Sequence, residues 1–196
     1  TVWKNSLFIS LVPMGFFTYG GLFAIQTLWA GPWMIRVAGY TPLESAQGLF
    51  IIYLSMLISF FCWGYFVPKF SKNINDAIRW LKFGAPINLI VLAIIIYLGP
   101  KAGSIHWAIF IVSSIFLSLA HPAVGMAFSL SNAGKALTSF NLLLFIGAFF
   151  MQWVMGLIID AGMSLNLSEI NSFKLAMIFV LITSLFSYLF FIIKKK

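Results

Sequence analysis

The sequence predicts an all-α integral membrane protein with six transmembrane helices and both termini cytoplasmic. Three observations predict it. Hydrophobic residues make up 62% of the 196 positions and charged residues 8%, where a soluble domain carries about a quarter charged. Six stretches without Lys, Arg, Asp or Glu account for nearly the whole chain. The charges between those stretches fall unevenly on alternate sides. This composition excludes an ordinary soluble enzyme and a disordered tail. The net charge of +8 comes from bases scattered between apolar runs, which reads as membrane orientation, with no nucleic-acid partner.

The charge-free stretches are 6–35, 45–68, 83–100, 102–134, 136–159 and 175–193. A helix needs about 20 apolar residues to cross the hydrocarbon core, so each stretch reads as one span. The first holds Pro13 and Pro32, and the fourth holds Pro122. The run Ser131-Asn132-Ala133-Gly134 predicts the turn between the fourth and fifth spans. One side collects Lys4, Lys69, Lys72, Arg79, Lys82, Lys135 and Lys194 to Lys196. The other collects Arg36, Lys101 and Lys174, together with Glu44, Asp160 and Glu169. The excess of bases places the first side in the cytoplasm. Trp3, Trp33, Trp80 and Trp107 fall near span ends and read as an interfacial belt. The lengths run long, medium, short and then repeat. That order predicts two inverted three-helix repeats, 1–100 and 101–196, an arrangement that transporters use. Residue 1 is Thr and no signal pattern precedes the first span, so the chain reads as a piece of something longer.

Polar residues inside the spans carry the functional reading, because a polar group in lipid costs free energy unless it is paired or wet. On the fourth span Ser114, Ser118, His121, Gly125, Ser129 and Asn132 follow one face. On the fifth, Asn141, Phe145, Ala148, Gln152 and Gly156 do so. Tyr19, Phe23, Gln26, Ala30 and Trp33 make a stripe on the first, and Ser55, Ser59 and Cys62 a weaker one on the second. The third span has Asn88 alone at depth, so spans three and six read as buttresses on the lipid side. Two readings of the stripes stand: they line an aqueous cavity, or small residues such as Gly20 and Gly125 let helices pack closely. For Gln26, Asn141 and Gln152 the cavity is favoured, since an amide is too large to thin an interface.

The run from Tyr19 to Trp33, and the run Ala133-Gly-Lys-Ala-Leu-Thr-Ser-Phe-Asn141 continuing through Gly147 and Gln152 to Gly156, resemble bacterial major facilitator superfamily (MFS) transporters. The resemblance is to the carboxy-terminal six-helix half and covers essentially the whole chain. It implies half of an alternating-access secondary transporter in the bacterial inner membrane, a permease moving a small solute. It also implies a partner, an amino-terminal six-helix half on the same polypeptide. If the isolated chain stands alone, its polar faces predict a homodimer. The family's glycine-and-acid loop after the second span is altered here. Gly64-Tyr-Phe-Val-Pro-Lys69 keeps the glycine and a base but has Pro68 where the acid would stand. No gating ion pair is assigned to Lys69.

The substrate cavity is expected to be lined by Gln26, Trp29, Asn141 and Gln152, with Tyr19 and His121 as second choices. Aromatic and amide lining without a deep charge points to a neutral or amphipathic solute. Arg36, at the outer end of the first span, is expected to snorkel to headgroups or to pair with Glu44 or Asp160. A serine-nucleophile motif, a phosphate-binding Gly-rich loop and a metal-ligand cluster are all missing from the sequence. The expectation is therefore no enzyme, no cofactor and no metal, and the one cysteine, Cys62, is a small hydrophobe. The alternative function is a non-catalytic six-span membrane protein, such as a channel subunit or assembly partner.

Overall fold

The computed structural model describes residues 2–194; Lys195 and Lys196, counted above among the cytoplasmic bases, lie outside the described residues. Six helices are long and apolar enough to cross a membrane. They are α1 (Ser6–Arg36), α2 (Pro42–Phe70), α3 (Ile74–Lys101), α4 (Ser104–Met126), α5 (Leu130–Ser164) and α6 (Glu169–Lys194). They mark a multi-pass membrane protein. Among the described residues there is no strand, as expected where every backbone polar group must be satisfied inside its own segment.

Local sequence sets the helix starts. Asn5 accepts from the Phe8 N–H at 3.0 Å, and Asn73 accepts from the Asp76 N–H at 3.0 Å. Thr41 and Glu44 form a capping box at the head of α2, with Pro42 in the first turn. Gly39 and Gly99 take positive φ in the turns that follow α1 and end α3, a conformation that costs other residues strain.

Two spans are not regular α-helix, and each holds proline close to its irregular stretch. Pro13 and Pro32 each remove one N–H from α1, and the helix widens into π turns at Met14–Tyr19 and Ile25–Trp29. In α4 a 3-10 stretch, Ser114–Leu119, runs up to the turn that holds Pro122. Kinks of this kind arise where the hydrogen-bond ladder is interrupted.

α1 forms the centre of the bundle. Two thirds (67%) of its apolar window is buried, against 6% for α2. It packs on α2, α5 and α6, while α4 packs on α2, α3 and α5, and α3 packs on α6. The α1–α5 crossing is tight. A Cβ on Gly20 would stand 2.6 Å from the backbone carbonyl carbon of Gly147, and one on Gly147 would collide with the backbone of Phe16. The packing role read for Gly20 therefore holds. That for Gly125 does not, because a Cβ there would meet only Leu137 at an ordinary 3.7 Å.

Several expectations are corrected. The helices do not follow a repeated long, medium, short order: α4 is the shortest at 23 residues and α5 the longest at 35. Charge-free runs misjudge helix length, because Lys, Arg and Glu are good helix formers and α3, α5 and α6 extend through such residues. The α4–α5 turn lies at residues 127–129 and not at Ser131 to Gly134. Ser129 is extended, and its carbonyl accepts from the N–H groups of Asn132 and Ala133, so α5 starts there and carries Gly134 and Lys135 inside it. Asn132 consequently does not continue the α4 stripe.

Trp33 and Trp107 do not face outward from the bundle, as a belt residue would. Both are fully buried, in an edge-to-face pair 5.5 Å apart, and the Trp33 indole donates to the Ala102 carbonyl at 3.0 Å. Arg36 pairs with Glu169 at 3.6 Å, not with Glu44 or Asp160; Glu44 is engaged by the Thr41 cap. Asn88 is buried and donates to the Phe110 carbonyl and the Ser113 hydroxyl, both at 2.9 Å. It fastens α3 to α4.

Candidate functional site

All six residues expected to line a cavity lie on α1, α4 and α5, and each touches another helix. Where the helix widens at Ile25–Trp29, the N–H of Ala30 turns back to the Ile25 carbonyl. That register leaves the Gln26 carbonyl without its usual helical donor, and the Tyr53 hydroxyl of α2 donates to it at 2.8 Å. The Gln26 side-chain amide donates to the Met56 thioether at 3.1 Å. Sulfur is a weak acceptor, so this amide keeps capacity for a better partner.

One cavity of about 170 Å³ lies between α1, α2 and α4. Tyr19 and Gln26 line it, with Ser59 and Met56 from α2 and with Ser114 and Ser118 from α4. The Tyr19 hydroxyl is buried and, among the described residues, finds no hydrogen-bond partner. A buried donor left unmade costs about 1–3 kcal/mol, and such groups mark places that need an explanation. The serine hydroxyls bond to their own helix: Ser114 to the Ile111 carbonyl at 2.6 Å, and Ser118 to the Ile115 carbonyl at 2.7 Å. Their lone pairs remain as acceptors, and Ser118 takes the Trp63 indole N–H at 3.0 Å.

The other four expected residues line the seam of α1 with α4 and α5 and not this cavity. His121 Nε2 meets Asn141 Oδ1 at 2.8 Å, and the His121 ring lies edge-on to Tyr19 at 5.9 Å. The Trp29 indole donates to the Gln152 carbonyl at 3.3 Å, and the Gln152 side chain donates to the Thr27 hydroxyl at 2.8 Å. Gly156 lies beside the Trp29 ring, which would stand an ordinary 3.5 Å from a Cβ placed there. Tyr19 thus links the two groups, lining the cavity and touching His121.

Sequence reasoning missed Thr27, Tyr53, Met56 and Trp63. The α2 positions recur at a helical spacing, so a stripe through Tyr53, Met56, Phe60 and Trp63 was legible. The chosen stripe ran one residue off it: Ser59 lines the cavity, but Cys62 faces outward. Thr27 was beyond reach, because the π turn shifts its angular position relative to an ideal helix. Phe145, expected on the inner stripe of α5, is 62% exposed.

The chain matches no family model, and no significant match is found among curated proteins or solved structures. Among the described residues no cluster of His, Cys, Asp and Glu could hold a metal ion. The arrangement offers amide, hydroxyl and imidazole groups without a formal charge at depth. It can recognise a solute by hydrogen bonds and aromatic contact.

Proposed function

We propose that this chain is the carboxy-terminal half of a secondary active transporter of the MFS type, working by alternating access in a bacterial inner membrane. On this reading the two three-helix units are inverted repeats, both termini are cytoplasmic, and an amino-terminal six-helix half completes the pathway. The solute is small and neutral or amphipathic. One observation carries the proposal: a mainly apolar cavity between α1, α2 and α4 is lined by Tyr19, whose buried hydroxyl has no partner among the described residues, and by Gln26, whose side-chain amide has only a weak one. Buried polar groups in a membrane are costly, and their retention at one cavity favours a ligand pathway over inert packing. The broken helices α1 and α4 support the same reading, since interrupted spans commonly frame transporter sites.

Counterflow in proteoliposomes tests it. The full-length protein would be loaded with each member of a panel of unlabelled neutral and amphipathic metabolites and then offered its labelled form. A carrier gives a saturable, transient accumulation; a pore gives neither. Gln26→Leu and Gln152→Leu are expected to lower exchange while leaving membrane insertion intact. A flux that rises linearly with concentration across the panel would refute the carrier reading in favour of a channel subunit. Unchanged exchange in both variants would remove those two residues from the pathway.

A further inference from the structure

We infer that the groove between α3 and α6, at the end of the bundle where α3 begins, binds the headgroup of an anionic phospholipid. The inference needs only that the bundle spans a membrane, and does not rest on transport. Asn75, Arg79 and Lys82 on α3 and Tyr188 on α6 form the polar part of this groove of about 600 Å³. Phe83, Pro86 and Ile192 continue it as an apolar part. The α3 residues lie at helical spacings and share one face.

Proline builds the groove. Pro86 has no N–H, so the Lys82 carbonyl four residues earlier loses its helical donor. The Tyr188 hydroxyl replaces it, donating to that carbonyl at 3.0 Å. The bond ties α6 to α3 beside the two bases and fixes the backbone from which Lys82 projects.

The charge is available. Arg79 is largely exposed and gives one guanidinium nitrogen to Asp76 at 3.0 Å, which leaves further donors in its fork. Among the described residues Lys82 makes no ion pair, although its side chain is partly buried. A partly buried base without an acid favours an anion from outside the protein.

Depth selects a lipid over a free anion. The regular helix of α3, 25 residues from Ile74 to Leu98, spans ~38 Å, between the hydrocarbon core and a bilayer with its headgroups. Lys82 lies about two turns inside that length, and Cα–Cβ bonds lean toward a helix's N-terminus. The Arg79 and Lys82 side chains therefore lean back toward the headgroup layer, while Phe83 and Pro86, deeper along α3, remain at acyl-chain level. A molecule with an anionic head and an apolar tail uses both parts of the groove; free phosphate would use one. Elsewhere, the groove at Lys135, lined also by Asn132 and Thr138, holds a single base.

The test uses the full-length protein purified in mild detergent. Co-purifying phosphatidylglycerol is quantified by lipid extraction. Thermal stability is then followed with added phosphatidylglycerol, phosphatidylcholine or inorganic phosphate. Phosphatidylglycerol is expected to raise the midpoint more than phosphatidylcholine, and inorganic phosphate to leave it unchanged. Arg79→Gln with Lys82→Gln is expected to lower retention about fivefold per charge removed, whereas Lys135→Gln keeps it. The charge-preserving pair Arg79→Lys with Lys82→Arg is expected to restore retention, which separates lost charge from lost fold. Equal effects of the two lipids on the wild type would overturn the inference, as would full retention in the double Gln variant. An equal shift with inorganic phosphate would replace the lipid by a free anion and overturn it too.

Discussion

Gly20→Ala is the sharpest perturbation of this bundle, because the α1–α5 crossing sets the separation on which Trp29, Thr27 and Gln152 depend. The added Cβ would stand 2.6 Å from the Gly147 carbonyl carbon and 2.7 Å from its oxygen. Ordinary van der Waals contact begins near 3.4 Å, so the two helices must part by about 0.8 Å or bend. The obstacle is backbone, not the far end of a flexible side chain, so no rotamer change relieves it. Overpacking of this kind costs about 1–3 kcal/mol. Helix propensity works the other way, since alanine gains up to about 1 kcal/mol over glycine inside a helix. Gly64→Ala supplies that gain alone, because nothing lies within 4 Å of a Cβ at Gly64. Reversible unfolding of both variants in mixed micelles therefore isolates the crossing. Gly20→Ala is expected to fall below Gly64→Ala by about 1–3 kcal/mol. Equal stabilities would refute the close crossing and, with it, the placement of Gln152 against α1.

Other outcomes follow from single contacts. Tyr19→Phe removes a hydroxyl that makes no bond, so thermal stability should be unchanged or higher, while solute binding through the cavity should weaken; a clear loss of stability would show that the hydroxyl is satisfied. Asn88→Ala removes the two bonds that fasten α3 to α4 and is expected to cost about 0.6–1.7 kcal/mol, from the mean to the maximum found for interhelical bonds in membranes, read from the unfolding midpoint in micelles. His121 and Asn141 should show coupling of about 0.5–1.5 kcal/mol in a double-mutant cycle of His121→Phe and Asn141→Leu; strict additivity would deny the bond. Glu169→Gln, by contrast, breaks an exposed pair with Arg36 at 3.6 Å and should move stability by less than about 1 kcal/mol in the same assay.

The chain's own chemistry made six spans legible, because hydrophobic length is a local property and lipid forbids any open-chain alternative to a helix. The prolines and amides of α1, α4 and α5 were legible for the same reason: each is conspicuous against an apolar background. What each amide touches was not. Gln26 reaches Met56 and Gln152 reaches Thr27, partners 30 and 125 residues away. The π turns of α1 shift the faces that a period of 3.6 would assign. Trp33 and Trp107 looked interfacial by position, yet pair in the core; nearness to a span end says nothing about which way a ring faces. The α4–α5 turn lies at residues 127–129 and not in the run of small residues from Ser131 to Gly134, since one extended Ser129 with its carbonyl free to start a helix outweighs turn composition. The sequence by itself determined that this chain lives in a bilayer as six helices. Only the packing decided which polar groups meet, because lipid-facing and helix-facing surfaces are equally apolar and close backbone approach, as at Gly20 and Gly147, chooses between them.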